Sequence, residues 1–168
     1  MRRLVVPMML SLLGITPVAA QKPAAACTSP AHHAFDFWVG QWEVTDTGGH
    51  VVGKSTIERI AAGCVITEHW QPFGSPDGAS INWYTVDDST WHQQWVGGGG
   101  WIARWSGSFR GGVMTMTETE SSLPAAAGRN RMNWTLLPDG RVKQWQENSK
   151  DGERTWITQF VGYYRKTG

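Results

Sequence analysis

From Phe35 onward, apolar and polar residues alternate in short runs, and each run ends at a cluster of turn-forming residues. Alternation with period two marks a strand with one buried and one solvated face. The pattern predicts ten strands, over residues 37–46, 50–60, 64–71, 79–86, 90–96, 101–109, 113–119, 131–137, 141–147 and 155–165. The second is the weakest, because 55–62 also reads as a short helix. Thr47-Gly48-Gly49, Pro76-Asp77-Gly78, Asp87-Asp88-Ser89, Gly97 to Gly100, Arg110-Gly111-Gly112, Pro138-Asp139-Gly140 and Lys150-Asp151-Gly152 supply the turns between them. Links this short join neighbours antiparallel and leave no room for crossover helices. An open meander of ten strands would expose two edges, so the expected fold is an all-β, up-and-down antiparallel barrel. No internal repeat and no second domain is visible.

Tryptophan sharpens this picture. The chain has 11 in 168 residues, and Trp38 and Trp42, Trp91 and Trp95, and Trp101 and Trp105 are each four apart, on one face of a strand. An indole carries a large apolar body and one N–H donor. A small barrel with this many therefore has an aromatic core or an aromatic pocket. If the tryptophans face inward, alternation groups Ile66, Glu68 and Trp70, then Ser80, Asn82 and Tyr84, then Trp91, Gln93 and Trp95. On the ninth strand it groups Lys143, Trp145, Glu147 and Ser149 against Gln144, Gln146 and Asn148. The expected interior thus has Trp42, Trp70, Trp95, Trp105 and Trp145 as walls, with Glu68, Asn82, Gln93 and Glu147 as polar groups. A carboxylate in such a cavity has a raised pKa and can hold a ligand hydroxyl or move a proton. Equally, buried polar groups in small barrels bond one another or water. Met114, Met116 and Met132 read as core filling.

The amino-terminal segment has a different character. Arg2 and Arg3, an apolar run from Leu4 to Ile15, and Thr16-Pro17-Val18-Ala19-Ala20 have the three-part layout of an export signal cut after Ala20. The run is shorter than the ~20 residues a membrane helix needs, and no later segment qualifies as a span. The expected location is secreted or periplasmic, with residues 21–34 as a flexible tether and 35–168 as one barrel domain. A twin-arginine signal lacks its polar and aromatic flanks here. A lipid anchor at Cys27 is separated from the apolar run by Gln21-Lys22-Pro23. Removing residues 1–20 leaves 13 basic against 14 acidic residues. So balanced a chain, with no basic block, argues against nucleic acid or an anionic membrane as partner. Cys27 and Cys64 are the only cysteines, and an oxidising destination makes a disulfide between them the expectation, with two separate buried thiols as the alternative.

Two apparent motifs carry little chemistry. Residues 48–55, from Gly48 to Gly53-Lys54-Ser55, satisfy the phosphate-loop pattern, but no strand, loop and long helix surround them as phosphate binding requires. The histidines, His32, His33, His50, His69 and His92, show no metal-ligand spacing, and His69 and His92 are expected to face opposite to Trp70 and Trp91. No metal and no cofactor is expected.

Gly40-Gln41-Trp42 on the first strand, with Arg165 on the last, resembles the Gly-x-Trp and closing arginine of the lipocalins and the wider calycin superfamily. The resemblance implies a cation packed across the tryptophan at the closed end of the barrel. Phe35-Asp36-Phe37-Trp38-Val39-Gly40-Gln41-Trp42, Gly63-Cys64-Val65-Ile66-Thr67-Glu68-His69-Trp70, Gln94-Trp95-Val96 and Val142-Lys143-Gln144 to Ser149 resemble a large bacterial family of lipocalin-like domains with no settled activity. The likeness spans nearly all of 35–166 and implies fold alone. Haem-binding relatives in that superfamily use a histidine late in the barrel, and this chain has none after His92.

Three functions fit these features. The first is binding of a small, partly apolar or aromatic molecule inside the barrel. The second is a cofactor-independent isomerase or cyclase with Glu68 as acid or base. The third is an interaction module with a filled core. The sequence does not choose between monomer and dimer.

Overall fold

The structure, a computed structural model, describes residues 27–123 and 128–168. The expected export signal over 1–20 and the first part of the expected tether, 21–26, lie outside the described residues. Ten strands form: β1 (Gly40–Thr45), β2 (Val51–Ile60), β3 (Val65–Pro72), β4 (Gly78–Thr85), β5 (Thr90–Gly97), β6 (Ile102–Arg110), β7 (Val113–Ser121), β8 (Arg129–Leu136), β9 (Val142–Ser149) and β10 (Ile157–Lys166). Each pairs antiparallel with the next, and β1 pairs with β10, so the meander closes into a barrel with no free edge. The segment 55–62 is strand up to Ile60, followed by one 3-10 turn at Ala61–Gly63, and the short helix does not form. Gly53, Lys54 and Ser55 therefore lie in β2, and the phosphate-loop pattern belongs to a hairpin.

The barrel has two unlike ends. At one, the chain before β1 turns inward and plugs the opening. Residues Asp36–Trp38 form a 3-10 turn. This corrects the expectation of a strand starting at residue 37. Trp38 and Trp42 share the core, but not as neighbours on one strand. Phe35 and Trp38 are both 0% exposed and stack at 4.8 Å, while Phe35 also meets Trp91 and Trp134 edge-on at 5.7 and 5.2 Å. The Trp42 Nε1–H donates to the Trp38 carbonyl at 2.9 Å, which ties plug to strand. With Ile57, Met114 and Tyr164, these rings form the lower core.

The part of the expected tether that is described, residues 27–34, is docked. Pro30–His33 is a second 3-10 turn with His32 buried. Cys27 is bonded to Cys64 at the β2–β3 turn. Trp91 Nε1 donates to the Ala31 carbonyl at 3.1 Å, and Arg59 donates to the His32 carbonyl at 2.9 Å and to the Asp36 carboxylate. A disulfide closing a loop of this size stabilises by ~2–4 kcal/mol.

The cation at this end is Lys166, not Arg165. Register places Trp42 opposite Lys166, whose Nζ lies 5.4 Å from the indole centroid. Arg165 points outward and bonds Glu43 at 2.6 Å. The one-residue offset matters because neighbouring strand residues face opposite sides of the sheet.

Candidate functional site

Strand direction puts the other end of the barrel between the β3–β4, β5–β6 and β9–β10 connections, and there the interior is not filled. A cavity of about 230 Å³ is lined by Glu68 and Trp70 of β3, Gln93 and Trp95 of β5, Trp101 and Trp105 at and within β6, Met132 of β8, Gln144 and Gln146 of β9, and Phe160 and Tyr164 of β10. The filled core expected of an interaction module thus describes only the plugged half.

Three glycines make room for the indoles at the mouth. A Cβ on Gly53 would lie 2.7 Å from the Trp70 ring, one on Gly78 2.4 Å from the Trp95 ring, and one on Gly97 2.1 Å from Nε1 of Trp101. None of these contacts is tolerable, so each glycine fixes where one ring lies. Gly78→Ala is expected to push Trp95 toward the cavity and to cost about 1–3 kcal/mol as overpacking. Urea midpoints and the tryptophan emission spectrum of the variant check this. An unchanged spectrum would mean that the ring has room elsewhere.

Below the mouth, Glu68 anchors a chain of polar groups. Its carboxyl accepts from Ser55 Oγ at 3.1 Å and from Ser80 Oγ at 3.2 Å. Asn82 donates its amide to the Ile66 carbonyl at 3.1 Å and to Ser80 Oγ at 3.0 Å. Because a backbone carbonyl can only accept, the Asn82 amide orientation is fixed and its oxygen faces Gln93. Gln93 Nε2 donates to that oxygen at 2.8 Å. The Gln93 carbonyl is then left over. Gln93 Oε1, Trp95 Nε1 and Trp105 Nε1, all on lining residues, are buried without a hydrogen-bond partner. Such atoms are uncommon in native interiors, and each marks a place where a further polar group would be favourable.

Glu68 itself is 7% exposed. Burial pushes its carboxyl up to about 7 from an ordinary 4.5, against the pull of the two serine hydroxyls and of neighbouring His69. On the opposite wall Tyr164 donates its hydroxyl to Gln144 Oε1, and Gln144 Nε2 donates to the Met132 sulfur at 2.7 Å. Burial, and secondly the charge of Glu68, holds the Tyr164 phenol well above its ordinary value.

Among the residues expected to build a site, Glu68, Trp70, Gln93, Trp95 and Trp105 converge on the cavity. Asn82 lies behind the wall, fully buried, and sets the orientation of Gln93. Trp42 belongs to the plugged end. Trp145 and Glu147 are on the outer face, which corrects the inward reading of the ninth strand. The Lys143 ammonium packs 4.9 Å from the Trp145 ring centroid, and Glu147 accepts from Arg131 at 2.7 Å and from Asn133 at 2.9 Å. Gln144 and Gln146 take the inner positions instead. Trp101, Gln144, Gln146, Phe160 and Tyr164 were not expected at the site, nor was Met132, which was read as core filling. The alternation of Phe160, Gly162 and Tyr164 along β10 was the signal available for two of them.

His69 and His92 face outward, bonded to Asp77 at 2.7 Å and to Asp88 at 3.0 Å. No group of three metal-capable side chains occurs among the described residues. No protein-family model matches the sequence, and no curated protein is significantly similar to it.

Proposed function

We propose that this barrel, as a lipocalin-like protein, binds a small, partly aromatic molecule in its open half. The observation that carries this reading is the cavity of about 230 Å³, walled by four indoles and floored by the bonded cluster around Glu68. An apolar cavity of roughly 150 Å³ holds benzene. This one therefore suits a core of one or two fused rings, with aromatic walls for stacking and a few polar groups for orientation, the usual make-up of a ligand site. Export to an oxidising compartment is part of the proposal and is supported by the layout of residues 1–20 and the bond between Cys27 and Cys64.

Native mass spectrometry of the purified protein is expected to show a small-molecule adduct that is lost on denaturation. Titration with indole or naphthalene is expected to quench tryptophan emission saturably. An adduct-free protein that also leaves both ring compounds unbound would overturn the reading. The proton affinity of Glu68 favours a second reading, acid–base catalysis on the bound molecule. Conversion of the ligand found in the adduct, lost in Glu68→Gln with affinity kept, would decide for it.

A further inference from the structure

The charges around the cavity are lopsided. Among its lining residues Glu68 is the one carboxyl group, and no lysine, arginine or histidine is present. Glu68 faces Ser55 on β2 and Ser80 on β4 behind the wall, and the Tyr164 phenol on β10 across the cavity, all of them neutral partners. Its neighbour His69 points the other way and is engaged by Asp77. No ion pair among the described residues includes Glu68. Two serine hydroxyls compensate a buried carboxylate incompletely, and an isolated buried charge is strongly unfavourable. Gln93 Oε1, an acceptor of the wall without a hydrogen-bond partner, has the same polarity.

The walls are of the complementary kind. Trp70, Trp95, Trp101 and Trp105 supply four indole rings to the lining, and indole π faces are electron rich and attract cations more strongly when water is excluded. An anionic ligand would meet both Glu68 and these faces. The indole N–H groups of Trp95 and Trp105 offer such a ligand only neutral dipoles, which a full charge at close range outweighs.

We propose that the cavity is a site for an organic cation, an ammonium-type molecule whose charge lies against Glu68 and the tryptophan faces. This rests on the reading of the cavity as a binding site and adds the charge of its occupant. A cation selects ionised Glu68, so its binding expels the proton held there. Affinity must then fall as the pH drops below the range in which the free site ionises.

The test uses phenyltrimethylammonium, whose charge does not titrate, and its neutral isostere tert-butylbenzene, each titrated into the full barrel by calorimetry. At pH 8 the cation is expected to bind at least tenfold more tightly than the isostere. Glu68→Gln is expected to abolish that preference, bringing the affinities for the two compounds close to equal. In the unaltered protein, cation affinity is expected to fall about tenfold per pH unit below about 7, with the isostere unaffected; this arm decides even if the variant fails to fold. Equal or tighter binding of the isostere at pH 8 would overturn the cation assignment and leave the binding site standing. Binding of neither compound would overturn both.

Discussion

Phe35→Ala is expected to lower the stability of the barrel by about 3–5 kcal/mol, the range for removing a fully buried aromatic side chain. Phe35 is 0% exposed and touches three tryptophans that come from different parts of the chain. Alanine would leave a void at the point where the inserted segment, β5 and β8 meet. The surrounding rings are large, the Trp91 ring is held by its hydrogen bond to the Ala31 carbonyl, and the backbone of Trp38 is held by the Trp42 indole. Collapse into the void is therefore restricted, which keeps the cost high. Urea unfolding, followed by far-ultraviolet circular dichroism, gives the value. A loss below about 1 kcal/mol would mean that the plug is not part of the cooperative core.

Glu68→Gln is expected to stabilise the protein at alkaline pH. The folded state raises the carboxyl to about 7 from 4.5, so it holds the proton more tightly than the unfolded chain does. The contribution of this group to stability is fully present below about pH 4.5 and is lost as the pH rises through 7. At ~1.36 kcal/mol per pH unit, the loss approaches about 3 kcal/mol by pH 8. Glutamine fills the same space, keeps an acceptor for one serine and does not titrate. The stability difference between variant and parent should therefore move by about 3 kcal/mol in favour of the variant between pH 4 and pH 8. A difference that stays constant with pH would show that Glu68 binds its proton equally in the folded and unfolded chain, so that burial does not raise its pKa. The stability given up at neutral pH is what a binding partner of opposite charge would restore.

Much of the fold was legible because turns in antiparallel sheets are chemically marked. Pro76-Asp77-Gly78, Arg110-Gly111-Gly112 and Pro138-Asp139-Gly140 punctuate the strands, and once ten strands are counted, closure follows from the cost of open edges. The inner faces of β3, β4 and β5 were legible too, since Ile66, Glu68, Trp70, Ser80, Asn82, Trp91 and Gln93 obey strict alternation. The ninth strand failed because the rule used there, that tryptophan points inward, is not a physical requirement. Trp145 lies outside, with the ammonium of Lys143 over its ring, and Gln144 and Gln146 are inside, where β10 supplies a partner for the first. Composition alone cannot distinguish a tryptophan shielded by lysine from one shielded by the core. The inserted 3-10 turn at Asp36–Trp38 was hidden for another reason. Its pattern of Phe35, Phe37 and Trp38 fits the start of a strand, and only the three-dimensional packing shows that the barrel end needs a stopper. Likewise, the meeting of β3, β5, β6, β8, β9 and β10 around one space depends on barrel curvature, which local sequence does not record.

The bond between Cys27 and Cys64 has a mechanical consequence. Both plug residues, all of β1 and all of β2 lie within the covalent loop, whose ends are 37 residues apart. Tension applied to the chain ahead of Cys27 passes through the sulfur atoms to the β2–β3 turn and bypasses the aromatic stopper. The loop contributes nothing to the extensible length, which shortens the stretched molecule by roughly 120–130 Å.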